Sequence, residues 1–440
     1  MSSENSPNQD PVLTDSDTCR DEEKAEASPD QHHSLEEPSK PQSEFNLRSI
    51  LVLVGSFFAM FCSVGFVNAF GVFQEYYSAN LLSDKSASEI SWLGSFNLFC
   101  MFGGTIVVGY LNDKYGPRIL LASGSVIIVF ALFMTSLCKQ YYQFFLAQGL
   151  LLGLGLSLVV LPAFAVIPRY FTKHRGLAMG LVVSGSSMGG VIWPITLRNL
   201  FTDVGFGWGV RICAFMMLPL LSLAILAIRV PISAASPNGT HVKAKPDISV
   251  VKNPILILLA AGLFLVYLGL FSLFFYVTSW TISLGLDPDM GFYMVSIVNA
   301  ASLFGRILPG LWADRIGAYN IMVISAGLSG LICMCWTEAK SIAGIVVLSL
   351  AYGFASGAVI GLQGACAALI AKPHQYGIVM GFTMGCLSIA GLIGSPINGQ
   401  ILSKWQYLGL SLFSGLAMLL GMLVLILAKL KVNPRFFGKA

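Results

Sequence analysis

The residue with the clearest chemistry is an arginine inside a long apolar stretch. Arg306 is the only Lys or Arg well inside such a stretch, and Asn299 and Ser302 precede it at spacings that put all three on one helix face. A guanidinium holds a carboxylate through paired N–H bonds, with an amide and a hydroxyl beside it. A charge in lipid costs at least about 3 kcal/mol unless it faces a cavity or a partner. The pattern predicts an anion-binding site; the alternative is a structural arginine that reaches the membrane surface or pairs with Asp314.

A charged turn occurs twice. Gly109-Tyr-Leu-Asn-Asp-Lys-Tyr-Gly116 returns 201 residues later as Gly310-Leu-Trp-Ala-Asp-Arg-Ile-Gly317, and Gly176-Leu-Ala-Met-Gly180 returns at the same offset as Gly377-Ile-Val-Met-Gly381. The chain is therefore a duplicated unit, a pattern typical of two-halved transporters. A carboxylate at such a turn can accept hydrogen bonds from a helix N-terminus and pair with arginine, which predicts a latch that breaks when the halves rock. The candidate latch residues are Gly109, Asp113, Gly116, Arg118, Gly310, Asp314, Arg315 and Gly317.

Two further polar positions extend the candidate binding set. Tyr276 lies in the seventh apolar stretch beside two phenylalanines, and Gln363 lies in the tenth. Aromatic stacking with one or two hydrogen bonds suits a ring-bearing or amphipathic acid better than lactate. Ordinary helix packing is an equally good interpretation of either residue.

Other kinds of site are not indicated. The nine cysteines and five histidines show no spacing typical of a metal site, and no buried acid pair or Ser-His-Asp set lies in the apolar stretches. No glycine-rich segment ends in Gly-Lys-Ser or Gly-Lys-Thr, so an ATP-driven motor within the chain is excluded. We therefore expect no catalytic residues, no metal and no cofactor, with energy supplied by gradients.

The composition indicates a membrane protein. It is 55% hydrophobic and only 11% charged, with a mean hydropathy of +0.74, whereas about a quarter of the residues of a soluble domain are charged. Residues 1–48 are polar and hold twelve of the 22 acids, which predicts a disordered cytosolic tail. The remaining bases are scattered between apolar spans, so the partner they indicate is a lipid bilayer and not a nucleic acid.

From residue 49 onward, stretches of about 20 or more apolar residues follow one another with short breaks, and helices are the required way to span lipid. The expected helices are 49–74, 89–111, 119–138, 142–167, 177–199, 209–230, 254–283, 289–312, 319–337, 341–370, 377–402 and 406–430. The prediction is an all-α membrane protein with twelve transmembrane helices. Its domains are the tail 1–48, six-helix halves 49–230 and 254–431, a cytosolic linker 231–253 and a cytosolic tail 432–440. With both termini in the cytosol, inner segments hold fifteen Lys and Arg and outer loops six, as the positive-inside rule requires.

The duplicated turn resembles the signature loop of the major facilitator superfamily, and the resemblance covers nearly everything after the tail. Within it, Asn68-Ala-Phe-Gly-Val-Phe-Gln74, Asp113-Lys-Tyr-Gly-Pro-Arg118 and above all the run from Asn299 to Gly317 look like the fungal branch of the monocarboxylate porter family. This resemblance implies passage of a small organic anion by alternating access, with or without a proton, in a plasma membrane. Fungal relatives of this kind include transporters associated with secondary metabolism.

Three departures from the family pattern bear on energy coupling. Glu44-Phe-Asn-Leu-Arg48 stands where an acid-Gly-Gly signature is expected, Asn68 stands in place of a first-helix lysine, and Ser302 in place of an eighth-helix aspartate. The resemblance adds Asn68 to the binding set of Arg306, Asn299, Ser302, Tyr276 and Gln363, and the neutral replacements predict weak proton coupling.

The expected function is secondary or facilitative transport of a monocarboxylate-like metabolite. The alternatives are efflux of a fungal secondary metabolite and a transport-inactive nutrient sensor. Substrate, direction and accessory protein are left open by the sequence.

Overall fold

The computed structural model describes residues 44–230, 247–435 and 438. The predicted tail 1–48, linker 231–253 and C-terminal tail 432–440 fall wholly or partly outside them. Residues 248–252 of the linker form a short 3₁₀ helix. Within the described residues the chain consists of helices and loops, without a β-strand.

The helices follow the apolar stretches closely. Their bounds are α1 Leu47–Cys62, α2 Val64–Val67, α3 Phe70–Tyr76, α4 Ala87–Tyr115, α5 Pro117–Thr135, α6 Tyr141–Phe144, α7 Leu152–Ala165, α8 Arg175–Asp203, α9 Gly205–Ala227, α10 Pro254–Ser283, α11 Pro288–Ile316, α12 Ala318–Met334, α13 Ile342–Ile370 and α14 Tyr376–Val432. Two π-helical segments, Tyr77–Leu81 and Phe145–Leu151, continue α3 and join α6 to α7. Because of the first of these, the opening span runs to Leu81 and not to the predicted residue 74.

Ten segments within the described residues are long and apolar enough to cross a membrane. The last, Tyr376–Val432, has 57 residues, which as one straight helix would be about 85 Å long against about 30 Å of hydrocarbon. Gln406 interrupts it with a non-helical backbone (φ 53°, ψ −162°). The apolar helix α12 is shorter, at 17 residues.

Large apolar side chains cover the outside of the bundle. Val126, Val347 and Leu226 are 69%, 64% and 61% exposed, and they lie on three different helices. Such surface would be unfavourable in water, but it matches hydrocarbon.

The duplicated turn ends two helices in the same way. Gly116 follows α4 with φ 84°, and Gly317 follows α11 with φ 114°. A left-handed backbone is strained for residues with a Cβ, so the final glycine of each copy lets the chain reverse directly into α5 or α12.

Packing divides the bundle into two groups of helices. α1, α4, α5, α7, α8 and α9 contact one another in the first half, and α10 to α14 do so in the second. The halves meet mainly along two seams, one between α4 and α14 and the other between α8 and α11, and α13 and α14 also contact α8 and α7.

Candidate functional site

Arg306 crosses from one half to the other. Its side chain is 3% exposed, and Nη1 donates to the carbonyl oxygen of Val183 at 2.7 Å and to Oγ of Ser186 at 2.5 Å. Both acceptors lie on α8, so the guanidinium neither reaches the membrane surface nor turns back to Asp314. Among the described residues no carboxylate lies within ion-pair distance of it, and Nε has no hydrogen-bond partner. A buried cation without a counter-ion is the arrangement expected of an anion site.

Asn299 and Asn68 approach each other next to a glycine. A Cβ built on Gly190 of α8 would lie 2.7 Å from Oδ1 of Asn299 and 3.0 Å from Nδ2 of Asn68. The Asn68 amide donates to the carbonyl oxygen of Ser186 at 3.3 Å. Asn299 is 1% exposed and its Nδ2 donates to the carbonyl oxygen of Val295 at 3.1 Å, whereas its Oδ1 has no partner.

The other sequence candidates occupy different surroundings. Ser302 is fully buried against α13, where a Cβ on Gly357 would lie 2.9 Å from its hydroxyl. Gln363 accepts a hydrogen bond from the hydroxyl of Tyr267 at 3.0 Å. Tyr276 lies nine residues beyond Tyr267 on α10, or about 13 Å along the axis, and its hydroxyl faces Gly399 of α14. The structure therefore groups Arg306, Asn299 and Asn68 along α8, whereas Ser302 and Tyr276 face their own half.

The first copy of the charged turn binds the second half. Asp113 accepts hydrogen bonds from the backbone N–H groups of Gly377 at 3.0 Å and Ile378 at 2.9 Å, at the start of α14. Arg169 pairs with the same carboxylate at 3.4 Å. A carboxylate at a helix N-terminus satisfies donors that have no partner within the helix.

The second copy repeats this contact in the opposite direction. Asp314 accepts hydrogen bonds from the backbone N–H groups of Gly176 at 2.6 Å and Leu177 at 3.0 Å, at the start of α8. Each half thus holds the other by a carboxylate on a helix N-terminus. We call this end of the bundle the aspartate end.

Glycines permit the close approach that these bonds need. A Cβ on Gly109 would lie 2.4 Å from the carbonyl oxygen of Gly377, and one on Gly310 would lie 2.6 Å from that of Gly176. Deeper in the seams, a Cβ on Gly180 would lie 2.1 Å from the carbonyl oxygen of Arg306. Both duplicated motifs therefore contribute to the same interface.

The sequence model of the Major Facilitator Superfamily matches residues 52–395 and 293–438. The chain belongs to the Major Facilitator Superfamily. It is an integral membrane transporter, and the expectation of an all-helical major facilitator fold is confirmed.

The chain is similar to transporters of fungi. The agnestins efflux protein AgnL12 of Paecilomyces divaricatus is 62% identical over 400 residues, which cover 91% of this chain and 92% of the relative. The aspyridones efflux protein apdF of Emericella nidulans is 39% identical over 386 residues, covering 87% and 78%. Among solved structures, the human organic anion transporter MFSD10 aligns with a TM-score of 0.66 and 16% identity, covering 86% of this chain and 98% of that one, which supports the fold alone.

In this major facilitator protein, the arginines that form bonds at the aspartate end are not the two named from the sequence. Arg118 and Arg315 are exposed, and the ion pair of Asp113 is made with Arg169. Arg175 donates to the carbonyl oxygen of Ala368, across the halves, at 3.3 Å. Arg118 is close to Asp113 in sequence, whereas Arg169, which forms the ion pair, reaches it from the end of another helix.

A contact that sequence reasoning missed fastens the start of α1 to the loop before α8. The Glu44 carboxylate accepts hydrogen bonds from the N–H groups of Thr172, Lys173 and His174 at 3.0, 2.8 and 3.2 Å, and from the Thr172 hydroxyl at 2.6 Å. Partial burial acts to raise the pKa of Glu44, but the hydrogen bonds outweigh it and lower the pKa to about 2. Phe45 packs on the His174 ring at 5.3 Å. Glu44 therefore holds the loop that precedes α8 in place, next to the aspartate end.

Proposed function

We propose that this transporter exports a ring-bearing organic anion, of the kind made in fungal secondary metabolism, across the plasma membrane by alternating access. The observation that carries the proposal is Arg306, a buried guanidinium without an acidic partner that bridges the two halves. The similarity to the agnestins and aspyridones efflux proteins supports the direction and the class of substrate.

Within this proposal the chain crosses the membrane twelve times. The ten long apolar segments, the shorter apolar α12 and the interruption of α14 at Gln406 support that number. The halves are 49–230 and 254–431, joined by a cytosolic linker at 231–253, with both termini in the cytosol. The excess of bases in the inner segments supports this orientation.

The aspartate end then faces the cytosol and acts as the conformational latch. Its two reciprocal carboxylate contacts, at Asp113 and Asp314, hold the inner ends of the halves together, as expected of a state closed to the cytosol. Loading of substrate from the cytosol requires both contacts to break, and release outside is favoured when they re-form.

Arg306 binds the acidic group of the substrate in this scheme, and the amides of Asn68 and Asn299 bind a polar group beyond it. The resemblance to the monocarboxylate porter family supports an acid as the bound group. A planar guanidinium favours a carboxylate or enolate over a neutral ester, because it presents two parallel charge-assisted donors.

Deletion and complementation in the fungal host test the proposal. We expect untargeted metabolomics to find an acidic metabolite that accumulates in deletion cells, disappears from the medium, and is restored there by the wild-type gene. Arg306→Ala should fail to restore export at normal surface level, whereas the exposed control Arg48→Ala should restore it. Unchanged metabolites in the deletion strain, with ligand binding but no flux in proteoliposomes, would instead support a sensor.

A further inference from the structure

The buried polar groups between the halves form two separate poles. The cationic pole is the Arg306 guanidinium, which lies at the level of Val183 and Ser186 of α8. The amide pole is formed by Asn299 and Asn68 at Gly190. Ser186 and Gly190 are four residues apart on one helix, so the poles are separated by about 6 Å along its axis.

Each pole keeps an unused hydrogen-bonding atom. Nε of Arg306 is a buried donor without a partner, and Oδ1 of Asn299 is a buried acceptor without one. Burying a polar atom unpaired is unfavourable, so a ligand group that bonds to either atom removes this cost. Arg306 and Asn299 are 3% and 1% exposed, which leaves bulk water as a poor alternative partner.

The backbone at the amide pole is closely packed. Gly190 has no side chain at the point where the two amides approach, and even a methyl group there would lie 2.7 Å from the Asn299 oxygen. Gly190 therefore allows the two amides to approach α8 closely, and a ligand group reaches Oδ1 of Asn299 when the halves move apart.

We infer that the substrate is an organic acid with a hydroxyl, enol or amide donor about 6 Å from its acidic oxygens, across a ring. This inference rests on the proposed function and specifies its substrate class. The acid binds Arg306, and the remote donor binds Oδ1 of Asn299. In lactate-like acids the hydroxyl lies next to the carboxylate, so it cannot reach the second pole, and such acids lose this contact.

Binding of three probes to the purified full-length protein tests the inference. 4-Hydroxybenzoate carries a donor across the ring from its carboxylate, benzoate lacks that donor, and lactate has it beside the acid. We expect 4-hydroxybenzoate to bind about tenfold more tightly than benzoate, since one hydrogen bond to a buried acceptor has about this effect. Lactate should bind more weakly than either.

Substitutions of Asn299 test whether this residue causes the preference for 4-hydroxybenzoate over benzoate. In Asn299→Leu, the affinity for benzoate should stay within about twofold of wild type, whereas the affinity for 4-hydroxybenzoate should fall to that for benzoate. Asn299→Ala provides the same comparison if the leucine overpacks the site. Asn320 is a matched control, because its amide also donates to the carbonyl four residues earlier, at 2.9 Å, but lies outside the site. Asn320→Leu should keep the tenfold preference.

The outcomes distinguish failure of the two-pole site from failure of the proposed function. If benzoate binds wild type but 4-hydroxybenzoate binds no better, or if Asn299→Leu keeps the preference, the two-pole site is wrong and the proposed function stands. If neither ring acid binds to the wild-type protein, both fail.

Discussion

Asp113 accepts a hydrogen bond from the backbone N–H of Gly377, 264 residues further along the chain. The sequence repeat gives this contact a counterpart. Asp314 corresponds to Asp113 and Gly176 corresponds to Gly377, and the backbone N–H of Gly176 donates to Asp314 at 2.6 Å. Two identical contacts on opposite sides of the interface close one end of the bundle symmetrically. Breaking only one leaves the other in place, so the halves separate only when both are lost.

The first prediction concerns these carboxylates. In Asp113→Asn and Asp314→Asn an amide replaces the charged acceptor, which removes charge-assisted bonds of about 1.5–3 kcal/mol each. The closed state becomes less populated, and we expect each variant to lower flux in proteoliposomes by about tenfold while surface expression stays normal.

Asp84→Asn provides the control, because its side chain is 70% exposed in a loop at the other end of the bundle. It should transport like wild type. Wild-type flux in both latch variants would remove the latch assignment.

The second prediction concerns the glycines deeper in the seams. A Cβ on Gly180 would lie 2.1 Å from the carbonyl oxygen of Arg306, and a Cβ on Gly381 would lie 2.3 Å from that of Thr105. The obstacle is backbone in both cases, so Gly180→Ala and Gly381→Ala must push the halves apart. We expect a lower melting temperature and reduced flux in both variants.

The same substitution at Gly71 is the control, since nothing lies within 4 Å of a Cβ there. Gly71→Ala should be neutral for flux, as expected for an exposed helical position. Equal losses at all three glycines would mean that the backbone contacts in the seams do not cause the effect.

Sequence reasoning located the helices well because membrane spans depend on local composition. Both ends of α10 match the predicted 254–283, and its start is fixed by Asn253, which caps Ile255 N at 2.9 Å ahead of Pro254. The break at Gln406 falls at the predicted start of the last helix. Such signals for the start and end of a helix can be recognised in a single sequence.

The partners of charged groups were less predictable, because they depend on how helices far apart in sequence meet. Periodicity placed Asn299, Ser302 and Arg306 on one face, but Ser302 packs on α13 while Arg306 bonds to α8. A helix face spans enough angle to contact two neighbours. No local signal pointed to Arg169 or to the Glu44 contact, since both need the folded loop before α8.

The third prediction concerns the shape of the cation. Arg306 Nη1 bonds to two acceptors on α8, and a lysine ammonium can replace this charge but not the planar fork. We expect Arg306→Lys to retain less than about a tenth of wild-type flux for an organic acid, and Arg306→Ala to retain none. Wild-type transport by well-expressed Arg306→Ala protein would reassign the residue to structure.

The fourth prediction concerns Glu44. Its pKa is lowered to about 2 from an ordinary 4.5, so the stabilisation it provides is present above pH 4.5 and is lost only as pH falls through about 2. Glu44→Gln should lower the melting temperature by a few degrees at pH 7.5, and most of this difference should remain at pH 4, which lies well above the folded-state pKa of about 2. A difference that vanishes by pH 4 would show that Glu44 titrates normally, and exposed Glu75→Gln should show none.

The last prediction concerns energetics. Within the described residues, every Asp, Glu and His lies in a loop or near a helix end, and the one buried ionised group at the interface in mid-bundle is Arg306. A protein proton carrier needs a group whose pKa moves between the two open states, and arginine does not release its proton in this way. We therefore expect facilitated diffusion or weakly proton-linked exchange.

The measurement imposes a pH gradient across proteoliposomes with substrate equal on both sides, and we expect the substrate to accumulate by less than about twofold. Arg306→Ala vesicles report the passive leak of the neutral acid, which must be subtracted because a weak acid redistributes with pH unaided. Wild-type accumulation well above that leak, abolished by a protonophore, would establish a coupled mechanism and contradict this prediction.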